Sequence, residues 1–349
     1  MRALCPNIRL PVIPAAARRA APAGWALLAL GCAIAALSGC GREKAGLPLA
    51  AIPALNTMAF EGPRALAEVR GLVVLGPRDA GTPGAARAAH HLLGRLRAHG
   101  VAATLDAFTD DAPGGPTVFR NVIGRIPGTG GGLIILGSHY DTKSGLGRNF
   151  QGANDGGSST GVLLEIARVA AGPWRDAARR TSSKVPPRPE IWLVFFDGEE
   201  CRVSYGLNDG FHGSRRLARQ LVTDGRARDV VAMVLLDMVG QRKLNLTIPR
   251  NGTPELAVKV LNAAAHEGVR EKIALIYGHV GDDHVAFLEA GMPAVDLIDF
   301  DYGSAPGLND YWHTAADRLD KLSPASLQLA GRITLRLLND LAADNAAPR

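Results

Sequence analysis

EIWLVFFDGEE, residues 190–200, is a nearly unbroken apolar run that stops on two adjacent glutamates, Glu199 and Glu200. Six apolar residues rich in β-branched and aromatic side chains read as a strand covered on both faces. An acidic pair at its end admits two readings. One is a solvated turn. The other is a division of labour, in which one glutamate holds a metal ion and the other moves protons. Neighbours in extended chain point to opposite faces, which suits two roles.

The same design recurs. LIILGSHYD (133–141) ends on His139 and Asp141, and VVAMVLLDMVG (230–240) carries Asp237 at its end. DGGSSTGVLLEIARVAA (155–171) shows helical spacing with Asp155 at its start. Further helices are expected over 59–69, 85–100, 210–221, 253–268, 282–291 and 323–344. RGLVVLG (70–76) and MPAVDLIDF (292–300) read as strands, and VAATLDAFTD with TVFRNVIGRIPG as an antiparallel pair. Apolar strands alternating with helices predict an α/β domain with its sheet covered on both faces. Ligands of such sheets sit outside the carboxyl ends of the strands. Here those ends carry the acids and histidines.

The chain has 349 residues, 47% hydrophobic and 21% charged, which suits one domain. Residues 1–39 read as a signal peptide: a basic stretch without acids, the short apolar run WALLALGCAIAAL (25–37), then LSGC. LSGC resembles a bacterial lipobox, which would lipidate Cys40 and leave 40–58 as a flexible tether and 59–349 as the catalytic domain. That implies a lipid-anchored protein of the bacterial cell envelope. Gly41 after Cys40 supplies no acidic retention signal, which resembles sorting to the periplasmic face of the outer membrane. The formal charge of +6 includes Arg2, Arg9, Arg18 and Arg19; without them it is +2, so the high pI gives no argument for nucleic acid. Losing Cys5 and Cys32 with the leader leaves Cys40 and Cys201, and no intrachain disulfide is expected.

His139, Asp155, Glu200, Asp237 and His313 (in YWHTAAD) form a candidate set of two imidazoles and three carboxylates, suited to zinc. Singly, each has a bland reading as a cap, turn or loop residue. In order, GSHYDTK, GANDGGSSTG, FFDGEE, LLDMVG, DDHVAFLEAGMPAVDLI and YWHTAADRLDKL resemble the zinc aminopeptidase and glutaminyl cyclase family of metallopeptidase-like enzymes, over roughly residues 60–345. The resemblance implies a three-layer fold, a twisted mixed sheet between helices, holding one or two zinc ions. It implies Glu200 as metal ligand and Glu199 as general acid/base, Asp155 shared between two metal positions, and His139 with Asp237 on one and Glu200 with His313 on the other. It places Asp141 behind His139, and adds Asp282 and Asp237 to Glu199 as catalytic carboxylates, Asp282 through a hydrogen bond to Glu199.

Two branches share these residues. WHT at 312–314, with Trp312 as a pocket wall, GDDHVAFLEAGMP and FHGSRRLA resemble the cyclase branch, which converts N-terminal glutamine to pyroglutamate with loss of ammonia. GANDGGSSTG resembles aminopeptidases, the alternative. Dead binding domains of this fold would have lost ligands or base, and here all are present. Substrates on either enzymatic reading are peptide or protein N-termini.

Overall fold

The computed structural model describes residues 54–130, 132–179 and 187–346. The expectations for the leader, Cys40 and most of the tether lie outside them. Among the described residues no helix is long and apolar enough to cross a membrane.

One mixed sheet of eight strands forms the middle layer. β1 (Ala102–Ala112) and β2 (Gly115–Ile126) make a hairpin, turned at Gly114 and Gly115 with φ of +95° and +106°. β3 (Leu133–His139), β4 (Glu190–Phe196), β5 (Val230–Asp237), β6 (Leu246–Pro249), β7 (Ile273–Ile276) and β8 (Ala294–Ile298) complete it in the order β1-β2-β4-β3-β5-β8-β6-β7. β4, β3, β5 and β8 run parallel, with His139 opposite Phe196 and Asp237 opposite Ile298. Their carboxyl ends therefore share one edge.

Side-chain alternation divides these strands between two cores. Ile134, Leu136, Leu193, Phe195, Val234 and Leu236 face one of them. Helices α1 (Gly62–Val73), α2 (Pro83–Ala98) and α3 (Gly157–Arg179) cover that face. Leu133, Ile135, Val194, Phe196, Met233 and Leu235 face the other, under α4 (His212–Thr223). α5 (Pro254–His266) joins the first core, α6 (His284–Glu289) the second, and α7 (Pro324–Ala346) the first. Prolines in the first turns of α1, α2 and α5 supply a fixed φ where no amide partner is needed. The three-layer α/β expectation holds.

Three expectations change. Residues 70–73 continue α1, because Val69, Leu72 and Val73 bury one helical stripe while Val74 is exposed. β6 and β7 were not expected: each has four residues, LTIP and IALI, too few for a periodic signal. The folded domain also begins before residue 59. Leu55 is buried, its N–H donates to Asn339 Oδ1 (2.7 Å), and Asn339 Nδ2 donates back to Leu55 O (3.0 Å).

α3 meets α1 at Gly161, where an added Cβ would lie 2.5 Å from Val69 Cγ2 and 2.6 Å from Ala65 O. Backbone on one side leaves little room to yield. Gly161→Ala is expected to destabilise the fold by about 1–3 kcal/mol despite better helix propensity, read as a lower denaturation midpoint. An unchanged or raised midpoint would mean that the two helices separate easily.

Candidate active site

The shared sheet edge collects the acids and histidines. β3 ends on His139 and β5 on Asp237. After β4 the chain turns at Gly198 (φ +74°), where a Cβ would lie 2.5 Å from the Phe119 ring, and Glu199 and Glu200 follow. Asp155 precedes Gly156 (φ +70°), whose missing Cβ leaves room for His139 Cε1. His313 arrives from the long segment between β8 and α7. Its φ of +52°, and +48° at Met238 beside Asp237, are conformations that L side chains resist and surrounding contacts must enforce.

Two triads result. His139 Nε2 lies 3.1 Å from Asp155 Oδ1 and 3.2 Å from Asp237 Oδ1. His313 Nε2 lies 3.0 Å from Glu200 Oε1 and 3.4 Å from Asp155 Oδ2. Within each triad one donor atom per residue sits within 4.8 Å of the others, and Asp155 turns one oxygen to each. The structure thus brings together all five residues singled out as ligands. Their nitrogen and oxygen donors fit a borderline divalent cation such as zinc.

The electrostatics call for positive charge here. Burial pushes the Glu199 carboxyl well above its usual range; His139 opposes this, while Glu200 and Asp282 add to it. Burial, then Asp155, raises Glu200 to about 7. Burial opposes the ionised form of Asp155 as well, yet hydrogen bonds from His139 and His313 hold its pKa below the usual value. Burial disfavours charge on His313, but Asp155 and Glu200 overcome it and lift the imidazole to about 9. Protons on the imidazoles serve the carboxylates as a cation would.

Glu199 belongs to neither triad; its Oε2 is 4.0 Å from His139 Nδ1. Asp141 stands 3.5 Å from that Nδ1, as a group behind His139 should. It also accepts the backbone N–H groups of Glu199 and Glu200, both at 3.2 Å, and so locks the acidic pair to β3. Asp282 is buried at the cavity wall. Its Oδ2 has no hydrogen-bond partner, so the bond expected to Glu199 is not made through that atom. Its Oδ1 accepts the Asp283 N–H, and its influence on Glu199 is that of a nearby charge.

Other supports were not foreseen. Asp317 accepts the N–H groups of Asn154 (2.8 Å) and Asp155 (3.2 Å) and the Tyr302 hydroxyl (2.8 Å), fixing the bridging aspartate. It lies inside the quoted YWHTAADRLDKL motif, which could have drawn attention to it. Arg78 is fully buried and donates to Tyr140 O, Gln151 O and Gly152 O, tying β3's end to the loop that carries Asp155. A lone arginine in a turn-rich loop gives no sequence signal. Tyr205 sets its hydroxyl 3.3 Å from Glu200 Oε2 and 3.5 Å from Glu199 Oε2. Cys201 is a buried free thiol, with Lys143 Nζ 2.9 Å from its Sγ.

Above the triads is a cavity of about 480 Å³ walled by Tyr205, Phe211, Phe300 and Trp312. Trp312 stacks on His313 (centroids 3.9 Å apart, 23°) and tilts against Phe300 (5.3 Å, 52°). An aromatic enclosure over a polar floor suits one small side chain bearing a polar head.

Comparison with known proteins agrees with this geometry. The model of peptidase family M28 matches residues 121–338. The chain is similar to the glutaminyl-peptide cyclotransferase of Bos taurus, 30% identical over 288 residues, spanning 73% of this chain and 76% of that one. Among solved structures it resembles an Acidobacteriales bacterium glutaminyl cyclase, 36% identical with a TM-score of 0.71, covering 81% of this chain and 95% of that one. It also resembles the Porphyromonas gingivalis glutaminyl cyclase, 29% identical with a TM-score of 0.68, over 81% and 99%. The matched span contains every residue of both triads, and the chain belongs to peptidase family M28.

Proposed function

We propose that this protein is a zinc-dependent glutaminyl-peptide cyclotransferase, closing N-terminal glutamine to pyroglutamate with release of ammonia. The observation that carries the reading is the aromatic-walled cavity of about 480 Å³ over the two triads, with Glu199 beside them but in neither. Similarity to two glutaminyl cyclase structures and a curated cyclotransferase supports it over aminopeptidase hydrolysis.

Zinc fits the donors, with Asp155, Glu200 and His313 as one set and His139, Asp155 and Asp237 as the other. When bound, it supplies a Lewis acid for the side-chain amide oxygen. The chain's residues do the rest. The cavity holds the glutamine side chain folded back toward its own α-amine, so that the attack is intramolecular. Glu199 takes a proton from the amine as the N–Cδ bond forms. It returns that proton to the amide nitrogen as the Cδ–N bond breaks and ammonia leaves. The raised pKa of Glu199 suits a group that must hold a proton between these steps. Trp312 and Phe300 wall the cavity on the His313 side.

The N-terminal reading extends the proposal to location: residues 1–39 a leader, and Cys40 a lipidated terminus anchoring the enzyme at the periplasmic face of the outer membrane. It rests on the LSGC motif and the basic-then-apolar pattern before it. Mass spectrometry of the processed protein is expected to find acyl groups on an N-terminal Cys40, and an unacylated terminus would remove the anchor.

The test of activity mixes zinc-loaded protein with a Gln-initiated and a Leu-initiated peptide and follows their masses. Loss of ammonia from the first, with the second intact, is expected; loss of an N-terminal residue would make the enzyme an aminopeptidase. Glu199→Gln is expected to keep its zinc while losing at least about two powers of ten in turnover. His313→Ala is expected to lose zinc by elemental analysis. Full activity in the first variant, or full zinc in the second, would reverse the corresponding role.

A further inference from the structure

A second concavity, of about 470 Å³, lies beside the catalytic cavity. α5 contributes Val258 and Leu261, the end of β6 contributes Pro249, and β7 contributes Leu275, Ile276 and, just beyond it, Tyr277. Val258, Leu275 and Tyr277 are 55%, 56% and 89% exposed, a concentration of exposed apolar surface that soluble proteins usually limit. The two hollows share Ile276, which lines both. The segment between them is a built divider. Arg250 N–H donates to Gly278 O (3.2 Å), Asn251 Nδ2 to Val280 O (2.8 Å), and Val280 N–H to Asn251 Oδ1 (3.2 Å). β7 is the last strand of the sheet, paired only with β6 among the described strands, so its outer edge offers free backbone groups to an extended chain.

We propose that this groove is a subsite of the same enzyme: it receives an apolar side chain from the third or fourth position of the polypeptide whose N-terminus occupies the catalytic cavity. The inference rests on the cyclotransferase reading for what fills the cavity. Continuity through Ile276 determines the occupant. A substrate leaving the cavity in extended form advances about 3.3 Å per residue and turns successive side chains to opposite faces, so beyond the second residue one of two adjacent side chains faces the groove. The preferred substrates are proteins that carry N-terminal glutamine and an aliphatic or aromatic residue at the third or fourth position.

The test compares Gln-Gly, Gln-Gly-Gly-Gly-Gly and Gln-Gly-Leu-Leu-Gly on the wild type and on Val258→Glu and Tyr277→Ala. The wild type is expected to favour the leucine peptide over its glycine counterpart by about tenfold in kcat/KM, mostly through KM, as burial of one such side chain predicts. Both variants should remove the preference and leave Gln-Gly, too short to reach the groove, unchanged. Equal use of the two pentapeptides by the wild type, or a parallel loss on Gln-Gly, would overturn the subsite. Fluorescence anisotropy of the C-terminally labelled leucine peptide separates the two readings, because it needs no turnover. If no peptide releases ammonia, weaker binding by Val258→Glu still supports the groove, and equal binding removes it. Concentration-dependent dimerisation that Val258→Glu abolishes would assign the face to a second copy instead and overturn the proposal.

Discussion

Asp155 must be shared by two triads while every carboxylate around it is withdrawn from water. Two carboxylates about 4 Å apart repel by several kcal/mol at the effective dielectric of a protein site, and burial adds its own penalty. The chain answers with backbone amides. Asp141 accepts two from the acidic pair, Asp317 two from the loop of Asp155, and Asp237 accepts the N–H of Met238 (2.8 Å). Each acid is also a clamp on main chain, so the charges that need neutralising hold the ligand geometry. His139 and His313 supply the nearest positive charge, on the nitrogens that would otherwise face a cation.

The sheet explains why these groups meet. Parallel strands place their carboxyl ends on one edge, and crossovers through helices return the chain there each time. β3, β4 and β5 therefore deliver His139, the acidic pair and Asp237 within reach of one another. The segments that leave that edge build the walls: Tyr205 and Phe211 before α4, Phe300 and Trp312 between β8 and α7. The last strands, β6 and β7, carry none of the triad residues; they shape the neighbouring groove, and Ile276 at the end of β7 reaches the catalytic cavity as well.

Much of this was legible in the residues. Apolar runs ending in acids mark buried strands whose tips meet at one edge, and the ordered motifs match the family that the comparisons show. Four-residue strands escape such a reading because two alternations are too few to stand out, as β6 and β7 illustrate. RGLVVLG reads as a strand because apolar clustering alone does not distinguish a strand from the buried stripe of α1. Leu55 escapes because its partner, Asn339, is distant in sequence.

The sequence by itself marked the candidate chemistry: which side chains can bind a cation, an acidic pair at the end of a buried strand, and the α/β order that sends them to one edge. Hydropathy periodicity and residue type suffice for that, since both are local. Only the tertiary structure decided how those groups are held. It assigned Asp317 and Arg78 to the loop of Asp155, turned Asp282 Oδ2 away from any hydrogen-bond partner, and joined a second groove to the cavity through Ile276. These are contacts between segments far apart in the chain. Their geometry follows from packing, which no single stretch of sequence contains.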